Sequence, residues 1–146
     1  MSKRSSIVNA LAEKFKEIDG TSGYNVNLFG NVYPKLKFWD EVNDFPAVYM
    51  VAGNEQREYH PANFTWAFLN ISVKVYVRGE DSPQTTLELL LEDLENCVNK
   101  NRVLAYDSEP GHETTEILVT SIITDEGLLH PYAVGEINLQ VRYALM

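Results

Sequence analysis

Residues 64–78 show the clearest pattern in the chain, a strict alternation of apolar and mixed side chains. Alternation with a period of two predicts a β-strand with one buried face, and so long a run favours a central place in a sheet. The apolar, odd positions are Ala67, Leu69, Ile71, Val73, Val75 and Val77. The mixed, even positions are Trp66, Phe68, Asn70, Ser72, Lys74, Tyr76 and Arg78.

A first helix is predicted over Ser5–Ile18, where apolar residues recur at helical spacing. Ser5 or Ser6 is the predicted N-cap, and Gly20 and Gly23 are expected to stop the helix. Its apolar positions are Ile7, Leu11, Phe15 and Ile18.

A second helix is predicted after Ser82, the expected N-cap, with Pro83 at the first helical position. One side is an apolar stripe of Leu87, Leu90, Leu91, Leu94 and Val98. The other side, expected to be solvated, holds Glu88, Glu92, Asp93 and Glu95. Cys97 lies near the apolar side without a neighbouring histidine, which favours a small buried hydrophobe over a catalytic thiol.

Shorter extended segments complete the pattern. Gly53-Asn54 is interpreted as a turn between a strand and a second arm beginning at Gln56. The predicted segments are Lys35–Trp39 at an edge, Ala47–Ala52, Gln56–Tyr59, Glu116–Thr124 and Val134–Leu145. This order predicts a single α+β domain over residues 1–146, with two layers: a mainly antiparallel β-sheet and two α-helices packed on one face.

The face of the sheet without helices is predicted to be a subunit interface, because it mixes aromatic and polar side chains. Its candidate residues are Trp66, Phe68, Tyr76 and Arg78, with Gln140 from the last strand.

Two loops are also predicted to contact partners. Residues 99–115 form a long polar connection that contains Asp107 and Glu109. Residues 125–135 open with Asp125-Glu126-Gly127 and are unusually apolar for a connection, with Leu128, Leu129 and Tyr132. For these apolar residues the alternative, that they cap the core, remains open.

Charge and composition restrict the range of functions that the chain could have. The net charge of the 146-residue chain is -9, which argues against wrapping nucleic acid but suits a channel wall that DNA passes without sticking. No apolar run approaches the roughly 18 residues that span a bilayer, and the polar, basic start does not resemble a signal peptide. We therefore expect a soluble, intracellular protein.

The sequence offers no recognisable catalytic, metal or cofactor site. His60, His112 and His130 all fall in predicted loops beside Pro or Gly, and no pair has the spacing of metal ligands on a helix. The nucleophile-elbow and phosphate-loop motifs are absent from the sequence. The carboxylates are interpreted as surface charge, so no enzyme activity, metal or cofactor is expected.

Four stretches in order resemble tail terminator (tail-to-head joining) proteins of long-tailed bacteriophages. They are the opening helix Ile7–Ile18; Phe45–Gly53 followed by Glu55 and Arg57; Leu69–Arg78 leading through Glu80-Asp81 into an acidic leucine helix; and Ile123–Gly127 leading into Gly135–Arg142. Together they span most of the chain.

This resemblance implies an α+β subunit that closes into a homo-oligomeric ring, a hexamer, at the head-proximal end of the virion tail. The ring would cap the tail tube, end tube polymerisation and present a docking surface to the head connector and neck proteins. DNA would pass the lumen without specific binding, and no membrane is involved. The family supplies no catalytic residues.

Three alternatives remain open from the sequence. One is a head-completion or neck connector protein, and another is a small-ligand-binding α+β domain with a pocket of converging polar groups. The third is an enzyme built on sparse loop residues such as Arg57, His60 and Asp125.

Overall fold

A computed structural model describes residues 1–145 as two helices and five strands. A single turn of 3₁₀-helix, Trp39–Glu41, separates the first two strands. The elements are α1 (Lys3–Phe15), β1 (Val32–Tyr33), β2 (Ala47–His60), β3 (Phe64–Arg78), α2 (Pro83–Lys100), β4 (Thr114–Thr124) and β5 (Tyr132–Leu145). Among the described residues, neither helix combines the length and the apolar character needed to span a membrane.

The five strands form one sheet in the order β1-β2-β3-β5-β4. The long strands pair antiparallel, and the two-residue β1 alone runs parallel to its neighbour β2. The predicted α+β class with a mainly antiparallel sheet is confirmed. The prediction that residues 64–78 form a central strand is also confirmed, since β3 is paired along both edges.

Both helices pack on one face of the sheet, here called the inner face. The odd positions of β3 are buried there together with Ile7, Leu11 and Phe15 of α1 and the leucine stripe of α2. The inward-facing residues of β3 therefore pack against the apolar sides of both helices in one core. The opposite face, here called the outer face, carries the even positions of β3.

The limits of α1 differ from the prediction. Ser2, not Ser5 or Ser6, is the N-cap, because its side chain accepts a hydrogen bond from the Ser5 N–H at 3.0 Å. The helix ends at Phe15, well before Gly20. Ile18 is nevertheless fully buried, so the apolar periodicity continues past the helix into a turn that keeps the same side toward the core.

The predicted turn at Gly53-Asn54 is wrong. β2 continues to His60, and the register irregularity between Ala52 and Glu55 is a bulge within the strand. The hairpin turn lies after His60, where Ala62 and Asn63 adopt φ of 67° and 61°. Two successive positive φ angles match the twist of the flanking strands in a tight hairpin.

The predicted edge strand at Lys35–Trp39 is also wrong. Pairing with β2 occurs earlier, at Val32 and Tyr33. Residues 34–46, here called the covering segment, cross the outer face instead, where the Tyr76 hydroxyl donates to the Lys37 carbonyl at 2.6 Å. Val42 of the segment forms a small second apolar cluster with Ala47, Tyr49 and Tyr76 of the sheet.

Asp93 was expected on the solvated side of α2, but it is fully buried. Its carboxylate accepts hydrogen bonds from the Asn25 N–H at 2.9 Å and the Val26 N–H at 2.8 Å, and from the Asn25 side-chain amide at 3.0 Å. The acidic side chain thus attaches the loop after α1 to the middle of α2. Ser82 does occupy the predicted N-cap position of α2, although its side chain makes no capping hydrogen bond.

Candidate functional site

The outer face is covered over only half of its length. The covering segment lies over the half near Tyr76, and within residues 1–145 no helix or second segment is packed over the half near Trp66 and Phe68. There the Arg142 guanidinium lies 4.7 Å from the centre of the Trp66 ring, which Phe64 contacts edge-on at 4.9 Å. Cross-strand pairing sets this arrangement, because Phe68 lies opposite Arg142 in the sheet.

Arg142 is incompletely satisfied within the described chain. Its Nε atom is buried and has no hydrogen-bond partner among residues 1–145. Trp and Arg dominate the energetics of many protein interfaces, particularly where neighbouring groups exclude water. The Trp66–Arg142 pair is therefore the strongest candidate for a protein contact on the open half of the outer face. Phe68 lies half-buried beside it.

Tyr76 does not belong to this exposed surface. Only 5% of its surface is accessible, because the covering segment lies over it and the Tyr49 ring packs against it with ring centres 5.8 Å apart. Burial raises the pKa of the Tyr76 phenol. The prediction that Tyr76 lies on an open interface is wrong, because its position on the outer face does not reveal the segment that folds back across it.

Arg78 and Tyr132 meet at the far end of the outer face. They are paired across β3 and β5, and the Arg78 guanidinium lies 5.4 Å from the centre of the Tyr132 ring. Tyr132 is half-buried against Trp39, with ring centres 5.1 Å apart, whereas Arg78 is exposed. This pair remains available to a partner through its arginine.

The two predicted contact loops lie at opposite ends of the sheet. The loop of residues 101–113 precedes Thr114, which pairs with Tyr143, and the loop of residues 125–131 follows Thr124, which pairs with Gly135. β4 is 11 residues long, so at about 3.3 Å per residue the ends are roughly 35 Å apart. The sequence predicts both loops but not their separation, which requires the register of β4 against β5.

The loop of residues 101–113 is more ordered than its composition suggests. Asp107 contacts His112 Nδ1 at 2.9 Å, and the His112 ring stacks on Tyr106 with ring centres 5.7 Å apart. The hydrogen bond from His112 is the main cause of a lowered pKa of Asp107. Glu109 is exposed at the tip of the loop, so it remains a candidate contact, whereas Asp107 also organises the loop itself.

Asp125 fixes the opposite loop. Its carboxylate accepts hydrogen bonds from the Leu129 and Val134 N–H groups, both at 3.0 Å, and from the Gln84 side chain at 2.8 Å. Burial on its own would raise the pKa of Asp125, but these hydrogen bonds to the charged form outweigh it and lower the pKa. Asp125 is thus primarily a structural residue that joins the turn to the start of α2.

Replacing Asp125 with alanine is expected to lower the free energy of unfolding by about 1–2 kcal/mol near neutral pH, because the turn loses its acceptor. The folded-state pKa is lowered, so the stabilisation is full above the unfolded-state pKa of about 3.9 and is lost as the pH falls through the folded-state value. Urea unfolding of both proteins between pH 7 and pH 2 measures the difference, which should narrow in acid.

Glu126→Gln provides the matched control for this experiment, because Glu126 is the exposed neighbour of Asp125 in the same turn. It should leave stability unchanged across the pH range. A gap between wild type and Asp125→Ala that stays constant down to pH 2 would contradict the assigned role of the charged carboxylate.

Leu128 is the most exposed feature of the same loop, with 85% of its surface accessible. Asp125 and the backbone around it support the loop from beneath, and Glu126 and Gly127 adopt φ of 57° and 83° at its tip. Leu129 is half-buried. Leu128 is therefore the exposed apolar residue of this loop, and its contact with a partner stays a prediction.

The described residues offer few features of a metal, ligand-binding or catalytic site. Among residues 1–145 no three His, Cys, Asp or Glu side chains are grouped as metal ligands would be. A cavity of about 430 Å³ lies under the covering segment, lined mainly by apolar side chains such as Phe38, Trp39 and Val134. Lys74 at its margin is already paired with Glu136. Burial raises the pKa of the Cys97 thiol, which disfavours its reactive thiolate form.

Comparison with known proteins decides between the open alternatives. A family model described as Bacteriophage Tail Tube Terminator Protein matches residues 1–146. The chain belongs to the tail tube terminator family. Tail tube terminator protein p142 of Escherichia phage T5 is 36% identical over 152 residues, covering 98% of this chain and 94% of that protein. The suspected resemblance to phage tail terminators is confirmed.

The fold is also similar to that of a solved virion component. A chain in the structure titled "Virion of native gene transfer agent (GTA) particle" superposes with a TM-score of 0.61 over 93% of this chain and 92% of that one. The sequence identity is 11%, so the likeness concerns the fold alone. As a tail tube terminator, the protein is a structural component of the phage tail and not an enzyme.

The pairing of Arg142 with Trp66 was not predicted from the sequence. Both residues stand at outward positions of predicted strands, so the alternation alone places them on one face. Their contact depends on β5 lying beside β3 with Phe68 opposite Arg142, and only the register gives that information. The signal present in the sequence was an arginine at an outward position of the last strand.

Proposed function

We propose that this chain caps the head-proximal end of the phage tail tube, ends tube polymerisation and provides the surface on which the head connector docks. It does so as a closed homo-oligomeric ring of six copies. Membership of the terminator family supports the capping role and favours it over the neck connector alternative. The partners are then other copies of the chain, the tail tube protein and the connector or neck proteins.

The observation that carries this proposal is the position of the two contact loops. A cap must meet the tube on one side and the connector on the other, so it needs two different binding surfaces facing opposite ways. The acidic loop tip at Glu109 and the apolar tip at Leu128 lie at opposite ends of the long strands. With the strands running between the two sides of the ring, one tip would face the tube and the other the connector.

Ring closure follows from the symmetry of the contact. A head-to-tail contact between two different surfaces of identical subunits generates a ring when the rotation closes. The open half of the outer face around Trp66, Phe68 and Arg142 offers an additional surface for a neighbouring copy. DNA would pass through the lumen without specific binding, in keeping with the net charge of -9. Synthesis in the host cytoplasm precedes incorporation into the virion.

The first experiment measures the mass of the protein by light scattering at several concentrations, alone and with purified tail tubes of its phage. A hexamer in solution, or a monomer that forms a ring on tube ends visible by electron microscopy, is the expected result. A monomer or dimer that ignores tubes and leaves tube elongation unchanged would overturn the proposal.

The second experiment tests the functions of the two ends of the subunit separately. Deletion of residues 107–111 and the substitution Leu128→Asp should both leave the fold intact, and each should abolish one activity, either tube capping or head joining, while sparing the other. Asn96→Asp, which places the same charge on an exposed position of α2, is the control for the substitution. Loss of the same activity in both variants, or normal assembly of the deletion, would contradict the assignment of the ends.

A further inference from the structure

Within residues 1–145 the sheet leaves an edge unpaired on each of its two sides. One is the outer edge of β4, which pairs with β5 on its other side. The second is the part of β2 beyond Val51, because β1 pairs with β2 only at Val48 and Tyr49. We refer to residues 52–60 of β2 as the β2 arm.

The β4 edge carries exposed apolar side chains. Leu118, Ile122 and Ile123 are 37%, 43% and 55% accessible. A long apolar edge strand left open promotes uncontrolled association, and proteins normally protect it with charge, proline or a covering partner. Residues 117–123 contain no charged residue and no proline. The β4 edge therefore needs a partner in the assembled state.

Strand direction makes the β2 arm of another copy a fitting partner. β2, β3, β5 and β4 alternate in direction across the sheet, so β4 and β2 point in opposite directions. A second copy rotated about a ring axis that runs along the strands would bring its β2 arm antiparallel to β4, because residues 52–57 of β2 and 114–119 of β4 lie at the same level of the sheet. The antiparallel sheet would then continue from one subunit to the next.

The distribution of charge favours the same contact. Residues 79–130, which contain α2 and β4, hold 12 of the 21 acidic residues and 2 of the 12 basic ones, a net charge of -10. Residues 1–60, which contain α1 and β2, hold 8 acidic and 7 basic residues, a net charge of -1. Arg4 lies beside the β2 arm and donates to the Gly53 carbonyl, and Arg57 lies within the arm.

We infer that subunits join edge to edge, with β4 of one copy beside the β2 arm of the next. This inference rests on the proposed ring and names its contact. Two β4 edges would bring together two regions that each carry a net charge of -10, and this repulsion opposes a two-fold dimer. The strongly acidic side meeting the nearly neutral side involves less repulsion, and it is a head-to-tail contact of the kind that closes a ring.

Cysteine cross-linking between singly substituted proteins tests the pairing. Leu118→Cys and Glu58→Cys place a thiol on the β4 edge and on the β2 arm at exposed positions. Each protein is treated with a short bis-maleimide alone and as an equimolar mixture, both in solution and on tail tubes. The expected product is a cross-linked dimer in the mixture, with little in either protein alone. Glu17→Cys, on the helical layer, is the control.

A charged substitution provides a second test that needs no cross-link. Leu118→Lys should leave the monomer folded by circular dichroism, because the side chain is exposed, and should weaken ring assembly by roughly tenfold or more, because an unpaired charge would enter the contact. Leu89→Lys, at a comparably exposed position of α2, should have little effect.

The outcomes distinguish this inference from the proposed function. Rings or capped tubes without the mixed cross-link would overturn the edge contact and leave the capping role standing. Cross-linking of Leu118→Cys with itself would show β4 meeting β4, and assembly loss in Leu89→Lys but not in Leu118→Lys would place the contact on α2; either result contradicts the inference. A wild-type chain that neither assembles nor caps tubes would overturn both.

Discussion

Asp93→Ala is expected to lower the free energy of unfolding by about 3 kcal/mol, because two backbone N–H groups and a side-chain amide lose their acceptor. The donors belong to Asn25 and Val26, so the loss also releases the loop after α1 from α2. In a protein of this size about 3 kcal/mol corresponds to a fall in Tm of roughly 10 °C. Thermal and urea unfolding measure both quantities.

Glu92→Ala is the matched control for Asp93→Ala, since Glu92 is the exposed preceding residue on the same helix. It should change stability by less than about 0.5 kcal/mol. Asp93→Asn keeps the size of the side chain and one acceptor oxygen, so it should lie between wild type and Asp93→Ala. Equal stabilities for the alanine variants at positions 92 and 93 would show that the buried hydrogen bonds contribute little.

Gly135→Val is expected to destabilise the protein by about 2–3 kcal/mol through overpacking between β5 and α2. A Cβ atom at residue 135 would lie 3.1 Å from Leu87 Cδ1 and 3.3 Å from Leu91 Cδ2, before the two further methyl groups of valine are added. The midpoint of urea unfolding measures the effect. The absence of a side chain at this position thus sets how closely the helix approaches the strand.

A double-mutant cycle separates overpacking from a general effect of valine. Leu87→Ala alone should cost about 2–5 kcal/mol by leaving a cavity. Combined with Gly135→Val, it should cost less than the sum of the single changes, because the valine fills space that the leucine vacates. Strictly additive effects would mean that the two side chains do not compete for the same volume.

The sequence was sufficient for the elements whose burial follows a regular period. Burial alternates from Phe64 to Val75 in β3 and from Tyr132 to Tyr143 in β5, and α2 carries an unbroken apolar stripe, so their positions and inward faces were predicted correctly. The apolar face of the sheet and the apolar side of each helix can then be buried only by packing against each other. The two-layer α+β class follows from that requirement alone.

The errors share a different physical origin. Gly53-Asn54 has the composition of a turn, yet pairing with β3 on both sides of it keeps β2 continuous through a bulge. Asp93 has the composition of a surface residue, yet a loop distant in sequence supplies its hydrogen-bond donors. In both positions a non-local contact overrides the local preference, and a single sequence does not reveal such contacts.

The exposure of the candidate interface residues was predicted only in part. The alternation of β3 correctly placed Trp66, Phe68 and Arg78 on the face away from the helices, because side-chain direction is a local property of a strand. The exposure of a side chain depends also on segments that are distant in sequence. The covering of Tyr76 by residues 34–46 was therefore not predicted. The structural role of Asp125 was missed for the same reason, since one of its donors, Gln84, belongs to α2.

The position of β5 in the sheet determines when the chain can complete its fold during translation. β5 follows β4 in sequence but lies between β3 and β4 in the sheet, so β4 has no strand to pair with until residues 132–145 have been synthesised. A nascent or truncated chain that stops before β5 exposes one edge of β3 and lacks the docking strand for β4. We therefore expect incomplete chains to assemble poorly, because only a chain whose translation has passed β5 can form the whole sheet.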